Sequence, residues 1–316
     1  PWNAEATVFV PNQARFNGAK LLEAIARAKV TTLCAPPTVW RMLVTERLAD
    51  YKTSLRELVS AGEPLNPEII NHVQEVWGIT IREGYGQTET SCLAGNTPGQ
   101  PVKPPALGKP LPGFRLALRD ANGQPTTEGE LCVLLDPAPI GLMPGYLNDQ
   151  GEISTFVDRV HHTGDVMSRD ADGDLTFVGR ADDVFKASDY RISPFELESA
   201  LIEHDDIVEC AVVPAPDAIR MAIPKAFIVL RPGVEPNRET ALAIFRHIRE
   251  VLAPFKRVRR IEFSQLPKTI SGKIRRVELR RAEEAHAHEQ KRSDMEFREE
   301  DFPELGKPEA SRQKAS

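Results

Sequence analysis

Two distant stretches of the sequence decide which fold we expect: Gly179-Arg-Ala-Asp-Asp-Val-Phe-Lys-Ala-Ser-Asp-Tyr-Arg-Ile192 and Pro267-Lys-Thr-Ile-Ser-Gly-Lys-Ile-Arg-Arg276. Each places charged side chains beside small or turn-forming residues, which is how a protein presents a cation to a phosphate or a carboxylate. Three further phrases precede them: Ser60-Ala-Gly-Glu-Pro64, Glu83-Gly-Tyr-Gly-Gln-Thr-Glu89 and His162-Thr-Gly-Asp165. Together the five phrases extend over most of the chain.

The first two thirds of the chain contain two kinds of pattern. Apolar residues at helical spacing predict helices over 19–30, 37–49 and 67–77, and β-prone runs predict strands over 31–35, 55–61 and 79–83. Strands separated by helices favour a mostly parallel sheet. A loop rich in Pro and Gly is predicted over 95–113, and the short runs 115–119, 130–135 and 175–178 suit a small antiparallel sheet or barrel.

The last third is expected to form a compact α+β module. Ser193-Pro-Phe-Glu196 is a capping box, which predicts a helix to about residue 204. Strands are predicted over 207–213, 226–230 and 258–263, and a helix over 239–252. We therefore expect an α/β protein with a large domain at 1–181 and a small α+β domain at 182–285. A charged, disordered tail is expected at 286–316.

Composition excludes several classes of protein. The net charge of −6 gives no reason to expect nucleic-acid binding, although local cations can still hold an anionic nucleotide. The four cysteines form no Cys-x-x-Cys pair, which predicts neither a disulfide framework nor a zinc site and favours the reducing cytoplasm. No apolar run is long enough to span a bilayer. Because the chain starts without Met or a signal peptide, we expect it to begin inside a domain.

In their order and wording, the five phrases resemble the signature set of the adenylate-forming (AMP-binding) acyl-CoA synthetases. The wording looks closest to the medium-chain and acetyl-CoA-synthetase-like branch. The resemblance implies part of a large adenylation domain, with a mixed sheet, helices and a small antiparallel β subdomain, followed by a small C-terminal lid domain. It also implies a ligase that converts a small carboxylic (fatty) acid and ATP into an acyl-adenylate, and then into acyl-CoA, with Mg²⁺ and coenzyme A.

The resemblance assigns the large-domain residues to a nucleotide site. Tyr85 would pack on adenine, Thr88 would hydrogen-bond a phosphate, and Glu89 would help to hold Mg²⁺. Asp165 would accept the ribose hydroxyls, as a carboxylate does in dinucleotide folds. The remaining members of the cradle are Gly62, Glu63, Pro64, Glu83, Gly84, Gly86 and Gln87. Taken singly, each phrase is also compatible with an ordinary turn or strand–loop junction.

The resemblance implies that the charged residues of the small domain reach the nucleotide site when that domain rotates. Arg180 and Arg191 would reach the ATP phosphates or the ribose, and Asp182 would be the hinge. Lys273 would stabilise the charge that builds on the α-phosphate during adenylation. Lys186 would face the site in thioester formation. The alternative for Lys273 is a basic surface loop, since seven Lys and Arg residues crowd nearby; such density would also attract the phosphates of coenzyme A.

Three departures from the family pattern leave alternatives open. Residues 1–59 contain nothing like the Gly/Ser/Thr-rich phosphate loop, so we expect a C-terminal portion that lacks the N-terminal part of its own domain and is inactive alone. Asp189 stands where the family usually has Gly, beside the path of pantetheine. The third departure is Phe156-Val-Asp-Arg-Val-His-His162, where members usually have Gly and aromatic residues before His-Thr-Gly-Asp. Apart from these departures, Gly86 stands where acetate-restricted relatives carry a Trp, which predicts an acyl pocket wider than acetate needs. The alternatives are a non-catalytic truncated fragment and an adenylation domain with a different acceptor thiol.

Overall fold

The computed structural model describes residues 4–13, 16–156, 159–187, 190–217, 220–269, 273–289 and 291–306. The chain divides into two compact units, Pro1–Phe177 (unit 1) and Val178–Ser316 (unit 2). The predicted domain boundary between residues 181 and 182 stays a prediction. Of the helices in the described part of the chain, none combines the length and apolarity that a bilayer crossing requires.

Unit 1 is built on a nine-stranded mixed sheet, in the order β1-β2-β3-β4-β5-β11-β10-β7-β6. Strands β1, β2 and β3 pair in parallel, and β3–β4, β4–β5, β5–β11, β10–β7 and β7–β6 pair antiparallel. Its elements are α1 Gly18–Arg27, β1 Thr32–Ala35, α2 Pro37–Leu43, β2 Glu57–Ala61, α3 Pro67–Trp77, β3 Ile81–Gln87, β4 Ser91–Gly95, β5 Ala106–Pro110, β6 Leu116–Arg119, β7 Glu128–Leu134, β8 Tyr146–Leu147, β9 Ile153–Ser154, β10 Val160–Arg169 and β11, which begins at Leu175 and ends at Arg180.

Local signals explain why α3 has the predicted bounds. The side chain of Asn66 accepts a hydrogen bond from Glu68 N, Pro67 occupies the first turn, and Gly78 ends the helix with φ +69°. Its buried face, Ile69, Ile70 and Val73, belongs to an apolar cluster formed with α1, α2 and β1–β3. Packing against the parallel strands therefore covers the apolar stripe that the sequence predicted.

Several sequence-based expectations in unit 1 were wrong. The helix predicted over 37–49 ends at Leu43. Strand β3 does not stop at residue 83 but continues to Gln87, because β4 pairs with its second half. The predicted loop over 95–113 contains β5, and the His-Thr-Gly-Asp phrase lies inside β10. The strand errors arise because local sequence does not report which strands pair.

Unit 2 has a four-stranded sheet, β14-β15-β16-β17, and a separate hairpin, β12–β13. Its apolar cluster includes Leu197, Val212, Ile244, Phe245 and Ile261. The elements are β12 Phe185–Ala187, β13 Tyr190–Ile192, α4 Pro194–Ile202, β14 Ile207–Asp217, β15 Met221–Leu230, α5 Arg238–Val251, β16 Arg260–Phe263, α6 Arg276–His288 and β17 Glu296–Arg298. At the start of α4, Ser193 Oγ accepts from Glu196 N at 3.1 Å, as predicted for the cap.

The expectation of a disordered tail over 286–316 is wrong for residues 286–288, which belong to α6, and for residues 291–306. Strand β17 pairs antiparallel with β16, and Phe302 and Leu305 are buried in the unit 2 core. Phe302 lies 5.4 Å from Phe245, measured between ring centroids. Apolar residues within this charged stretch therefore pack into the unit 2 core, together with the strand pairing of β17. Residues 307–316 lie outside the described residues.

Candidate functional site

Asp165 is the centre of a buried polar cluster in unit 1. The pairing of β10 with β7 shifts register between His162 and Val166, and Gly164 has φ +69° in this bulge. The side chain of Asp165 is thereby turned into the unit, where it is 5% exposed. Its Oδ2 accepts hydrogen bonds from Tyr85 Oη at 2.5 Å and from Gln87 Nε2 at 2.8 Å. Residues from two of the five sequence phrases therefore meet at one carboxylate.

Gln87 connects the two strands that carry these residues. Its Nε2 also donates to Thr163 O at 2.8 Å, and its Oε1 lies 3.3 Å from His161 Nε2. Burial lowers the pKa of His161, which favours the neutral imidazole. A neutral ring can donate from Nε2 to the Gln87 oxygen, so the amide is held at both ends. Sequence reasoning placed Gln87 in the cradle but gave no role to His161.

Glu83 is directed at the backbone of its own unit. Its Oε1 accepts a hydrogen bond from Leu65 N at 2.8 Å, and the residue is 4% exposed. Burial raises the pKa of its carboxyl from 4.5 to about 7, although the Leu65 hydrogen bond acts in the opposite direction. The contact ties the turn at Gly62-Glu63-Pro64 to β3. Glu63 itself lies 3.8 Å from Arg41, and Gly62 has φ +101°.

Glu89 and Thr88 follow directly after β3. Glu89 Oε1 accepts from Tyr146 Oη at 3.0 Å, while Thr88 is exposed. Mg²⁺ in nucleotide enzymes is commonly held by one or two carboxylates together with substrate phosphates. A single half-buried carboxylate such as Glu89 fits that requirement.

At Gly86 the structure leaves no room for a side chain, and the expectation of a wider acyl pocket stays a prediction. A Cβ atom built at Gly86 would lie 1.8 Å from Ser91 O, so the backbone of β4 fills the space in which a side chain would begin. Glycine is needed here because β3 and β4 approach closely at the register shift after Tyr85. At Gly84 the same construction meets only Cys92 Sγ, at 3.2 Å.

In unit 2, the β12–β13 hairpin holds two of the predicted cations side by side. Lys186 pairs directly with Arg191 across the hairpin, and both are exposed. The next pair, Ala187 and Tyr190, points to the opposite face because side chains alternate along a strand. Asp189, one of the departures from the family pattern, lies outside the described residues.

The other predicted residues of unit 2 lie before and after this hairpin in the chain. Arg180 Nε is 3.4 Å from Asp182 Oδ1, and Asp182 O accepts from Arg280 Nη1 at 3.2 Å. Lys273 is exposed, and its backbone exchanges hydrogen bonds with Thr269, at 3.1 Å to Oγ1 and 2.8 Å from Thr269 N. Ser271 and Gly272 lie outside the described residues.

An open groove of about 310 Å³ in unit 2 was not identified from the sequence. Tyr190 and Phe255 stack in its wall, with ring centroids 4.3 Å apart, and both rings are partly exposed. Arg220 and Arg259 supply positive charge, although Arg259 is already paired with Glu299. The basic density was visible in the sequence, but the groove joins three separate segments, which no local pattern reports.

Comparison with known proteins identifies the class and then the family. The solved structure of an anthranilate CoA ligase in complex with anthranoyl-AMP is similar with a TM-score of 0.76 and 34% identity, over 86% of this chain and 53% of that chain. A benzoate CoA ligase from Burkholderia xenovorans is similar with a TM-score of 0.71 and 30% identity, over 84% and 54%. The fold is therefore that of the adenylate-forming ligases.

Sequence comparison agrees. The AMP-binding enzyme family matches residues 3–147, and the AMP-binding enzyme C-terminal domain matches residues 196–273. The 4-hydroxybutyrate–CoA ligase 1 of Metallosphaera sedula is 45% identical over 85% of this chain and 49% of its own length. The acyl-coenzyme A synthetase ACSM3 of Rattus norvegicus is 44% identical over 89% and 50%. The chain belongs to the AMP-binding enzyme family, and it spans about half the length of the curated relatives it matches.

Proposed function

We propose that this chain takes part in the ATP-dependent activation of a carboxylic acid to an acyl-adenylate and in its transfer to the thiol of coenzyme A. The observation that carries the proposal is the convergence of Tyr85, Gln87 and Asp165 in a protein whose relatives are CoA ligases. Resemblance alone predicted these three residues. Their contact supports a common site, since the two phrases are almost eighty residues apart.

Within this proposal, Asp165 binds the ribose hydroxyls and Tyr85 packs on the adenine ring. The two hydrogen bonds to Asp165 Oδ2 orient the carboxylate before the nucleotide arrives, which reduces the ordering cost of binding. Glu83 and the turn at residues 62–64 do not contact the nucleotide in this proposal but support the strand that carries Tyr85, because the Glu83 carboxylate accepts a hydrogen bond from Leu65 N. Glu83 is thus proposed as a positioning residue.

Glu89 and Thr88 are proposed to serve the phosphate end of ATP. When bound, Mg²⁺ neutralises charge on the phosphates and fixes their geometry. Tyr146 Oη donates to Glu89 Oε1, so the second carboxylate oxygen is the one we assign to the ion. The exposed hydroxyl of Thr88 donates to a phosphate oxygen.

Two lysines of unit 2 are proposed to serve different half-reactions. Lys273 stabilises the phosphoryl charge as the acid attacks ATP, and Lys186 assists the attack of the thiol on the acyl-adenylate. Both are exposed cations on separate elements, the loop before α6 and the β12–β13 hairpin. Arg180 and Arg191 are proposed to contact the phosphates or the ribose, and Asp182 to act as a hinge.

The groove beside Tyr190 suits the nucleotide end of coenzyme A. Stacked aromatic rings offer a face to adenine, and an arginine offers a fork to a phosphate. Tyr190, Phe255 and Arg220 supply these two features together. Lys256 lies 5.7 Å from the Phe255 ring centroid, although Glu196 already accepts hydrogen bonds from its ammonium.

The nucleotide site is tested by binding rather than turnover. Calorimetry compares AMP with 2′,3′-dideoxy-AMP on the wild-type protein, on Asp165→Asn and on Asp149→Asn, a control in an exposed loop. Asp165→Asn should weaken AMP binding about 10- to 100-fold, as expected for the loss of a hydrogen bond to a charged group. Its affinity for the dideoxy analogue should equal that of the wild type. Equal losses for both ligands would contradict the ribose role.

Catalysis is tested by pyrophosphate release with ATP, Mg²⁺ and a panel of carboxylic acids. The chain is assayed in two forms. One is the chain alone, and the other is the chain joined to the part of a relative that it does not cover, because the phosphate loop was not found in residues 1–59. Release only in the second case supports the proposal, and acyl-CoA should then form when coenzyme A is added. No release in either case would favour the non-catalytic alternative. Acyl-adenylate without acyl-CoA would favour another acceptor thiol.

A further inference from the structure

A cluster of metal-binding side chains lies on two neighbouring strands of unit 1. Cys132 of β7 pairs directly with His162 of β10, so their side chains point to the same face of the sheet. Glu130 precedes Cys132 by two residues and shares that face. One donor atom from each residue lies within 4.8 Å of the others. The cluster thus combines a thiol, an imidazole and a carboxylate.

The sulfur–nitrogen distance within the cluster is that of a tetrahedral zinc site, and the other donors lie within reach of it. Zn–S and Zn–N bonds of about 2.3 and 2.05 Å place sulfur and nitrogen roughly 3.6 Å apart at the tetrahedral angle. The observed separation of Cys132 Sγ and His162 Nδ1 is 3.6 Å. Zinc would separate nitrogen and oxygen by about 3.3 Å. His162 Nδ1 and Glu130 Oε2 are 2.8 Å apart, so they must move apart by about half an ångström.

Supporting contacts hold Glu130 in position. Its Oε1 accepts a hydrogen bond from Gly164 N at 3.0 Å, while its Oε2 faces His162. Outer hydrogen bonds of this kind orient ligating carboxylates in metal sites. Cys132 is buried, whereas 56% of the His162 side chain is exposed, so an ion can approach from the imidazole side.

We propose that Glu130, Cys132 and His162 form a binding site for one Zn²⁺ ion, with water as the fourth ligand. Binding releases the Cys132 thiol proton to solvent, and the thiolate and carboxylate together neutralise the ion. The scattered cysteines predicted no zinc site, because this ligand set is assembled across strands. The site also shares Gly164 with the bulge that carries Asp165, so bound zinc should stiffen that bulge.

The test is metal binding by the purified protein, read without any activity assay. Zn²⁺ affinity is measured by competition with a chromophoric chelator, and Co²⁺ is added as a spectroscopic substitute. We expect one ion per chain and a thiolate-to-cobalt charge-transfer band. Cys132→Ser should abolish the band. Both Cys132→Ser and His162→Ala should weaken Zn²⁺ binding more than about 100-fold, which exceeds the loss expected when a residue that only hydrogen-bonds a metal ligand is removed.

Two controls keep the result decisive. Cys34→Ser removes an exposed thiol elsewhere in unit 1 and should leave the affinity and the band unchanged. Excess Mg²⁺ should not displace Co²⁺, because hard cations avoid thiolates. Because the His162 side chain is largely exposed, His162→Ala tests the site even if Cys132→Ser fails to fold. Zinc affinity unaffected by His162→Ala, or cobalt bound without a thiolate band, would overturn the proposal.

Discussion

Replacing Glu83 by glutamine should flatten the pH dependence of unit 1 stability between about pH 5 and pH 8. The Glu83 carboxyl is 4% exposed, and burial raises its pKa to about 7. The folded protein therefore binds this proton more tightly than the unfolded chain does. The stabilisation from proton binding is complete below about pH 4.5 and is lost as the pH rises through 7.

The magnitude follows from the two pKa values. A rise from 4.5 to about 7 corresponds to roughly 3 kcal/mol, at about 1.4 kcal/mol for each pH unit. Most of this lies between pH 5 and pH 8, so the wild type should lose about 2 to 3 kcal/mol across that range relative to Glu83→Gln. Glutamine keeps an oxygen that can accept from Leu65 N, so the turn at residues 62–64 stays attached.

The assay is urea unfolding followed by tryptophan fluorescence at several pH values. All three tryptophans, at positions 2, 40 and 77, belong to unit 1, so the signal reports on the unit that contains Glu83. Other titrating groups cancel in the difference between wild type and variant. Glu75→Gln, which changes an exposed carboxylate on α3, is the matched control and should give a difference that does not vary with pH.

A wild-type-minus-variant difference in unfolding free energy that stays constant, or that grows as the pH rises, would contradict a raised Glu83 pKa in the folded protein. A constant difference would mean that Glu83 titrates alike in the folded and unfolded chains. A growing difference would mean that its charged form is the one the fold prefers.

Three further predictions concern packing, a buried ion network and the two lysines. Gly86→Ala should destabilise unit 1 by more than about 2 kcal/mol, because its Cβ would overlap the Ser91 backbone. Gly84→Ala should cost much less, because only the Cys92 sulfur must shift. Comparable urea midpoints for the two variants would contradict this. Lys225→Met should lower the free energy of unfolding of unit 2 by about 3 to 5 kcal/mol, because the buried ammonium neutralises three glutamates, Glu262, Glu283 and Glu296. Urea unfolding followed by circular dichroism measures this loss, and an unchanged midpoint would show that the network contributes nothing to stability. In the enzyme completed with the missing half, Lys273→Ala should slow acyl-adenylate formation about 10²- to 10³-fold and spare thioester formation from supplied acyl-adenylate. Lys186→Ala should do the reverse, and equal losses in both steps would count against separate roles.

Secondary structure followed the sequence wherever the signal was local. Helix α3 has the predicted bounds because Asn66, Pro67 and Gly78 specify both of its ends. Strand β5 was missed because loop composition does not report on pairing partners elsewhere in the chain, and the helix predicted over 37–49 ended early, at Leu43. The prediction of a disordered tail was wrong for the same reason. Phe302 lies in a charged stretch, and only the unit 2 core explains why it is buried.

The order of motifs along the chain predicted the family, which the comparisons confirm, and singled out Tyr85, Gln87 and Asp165, which the structure brings into contact. It could not show that Gln87 donates to Asp165, that Glu83 is buried against Leu65, or that Gly86 is needed for backbone contact. Nor could it bring Cys132 and His162 together. Helix caps and periodicity act over a few residues and are written locally, whereas burial, pKa shifts and ligand clusters depend on which distant strands become neighbours, and only the folded sheet decides that.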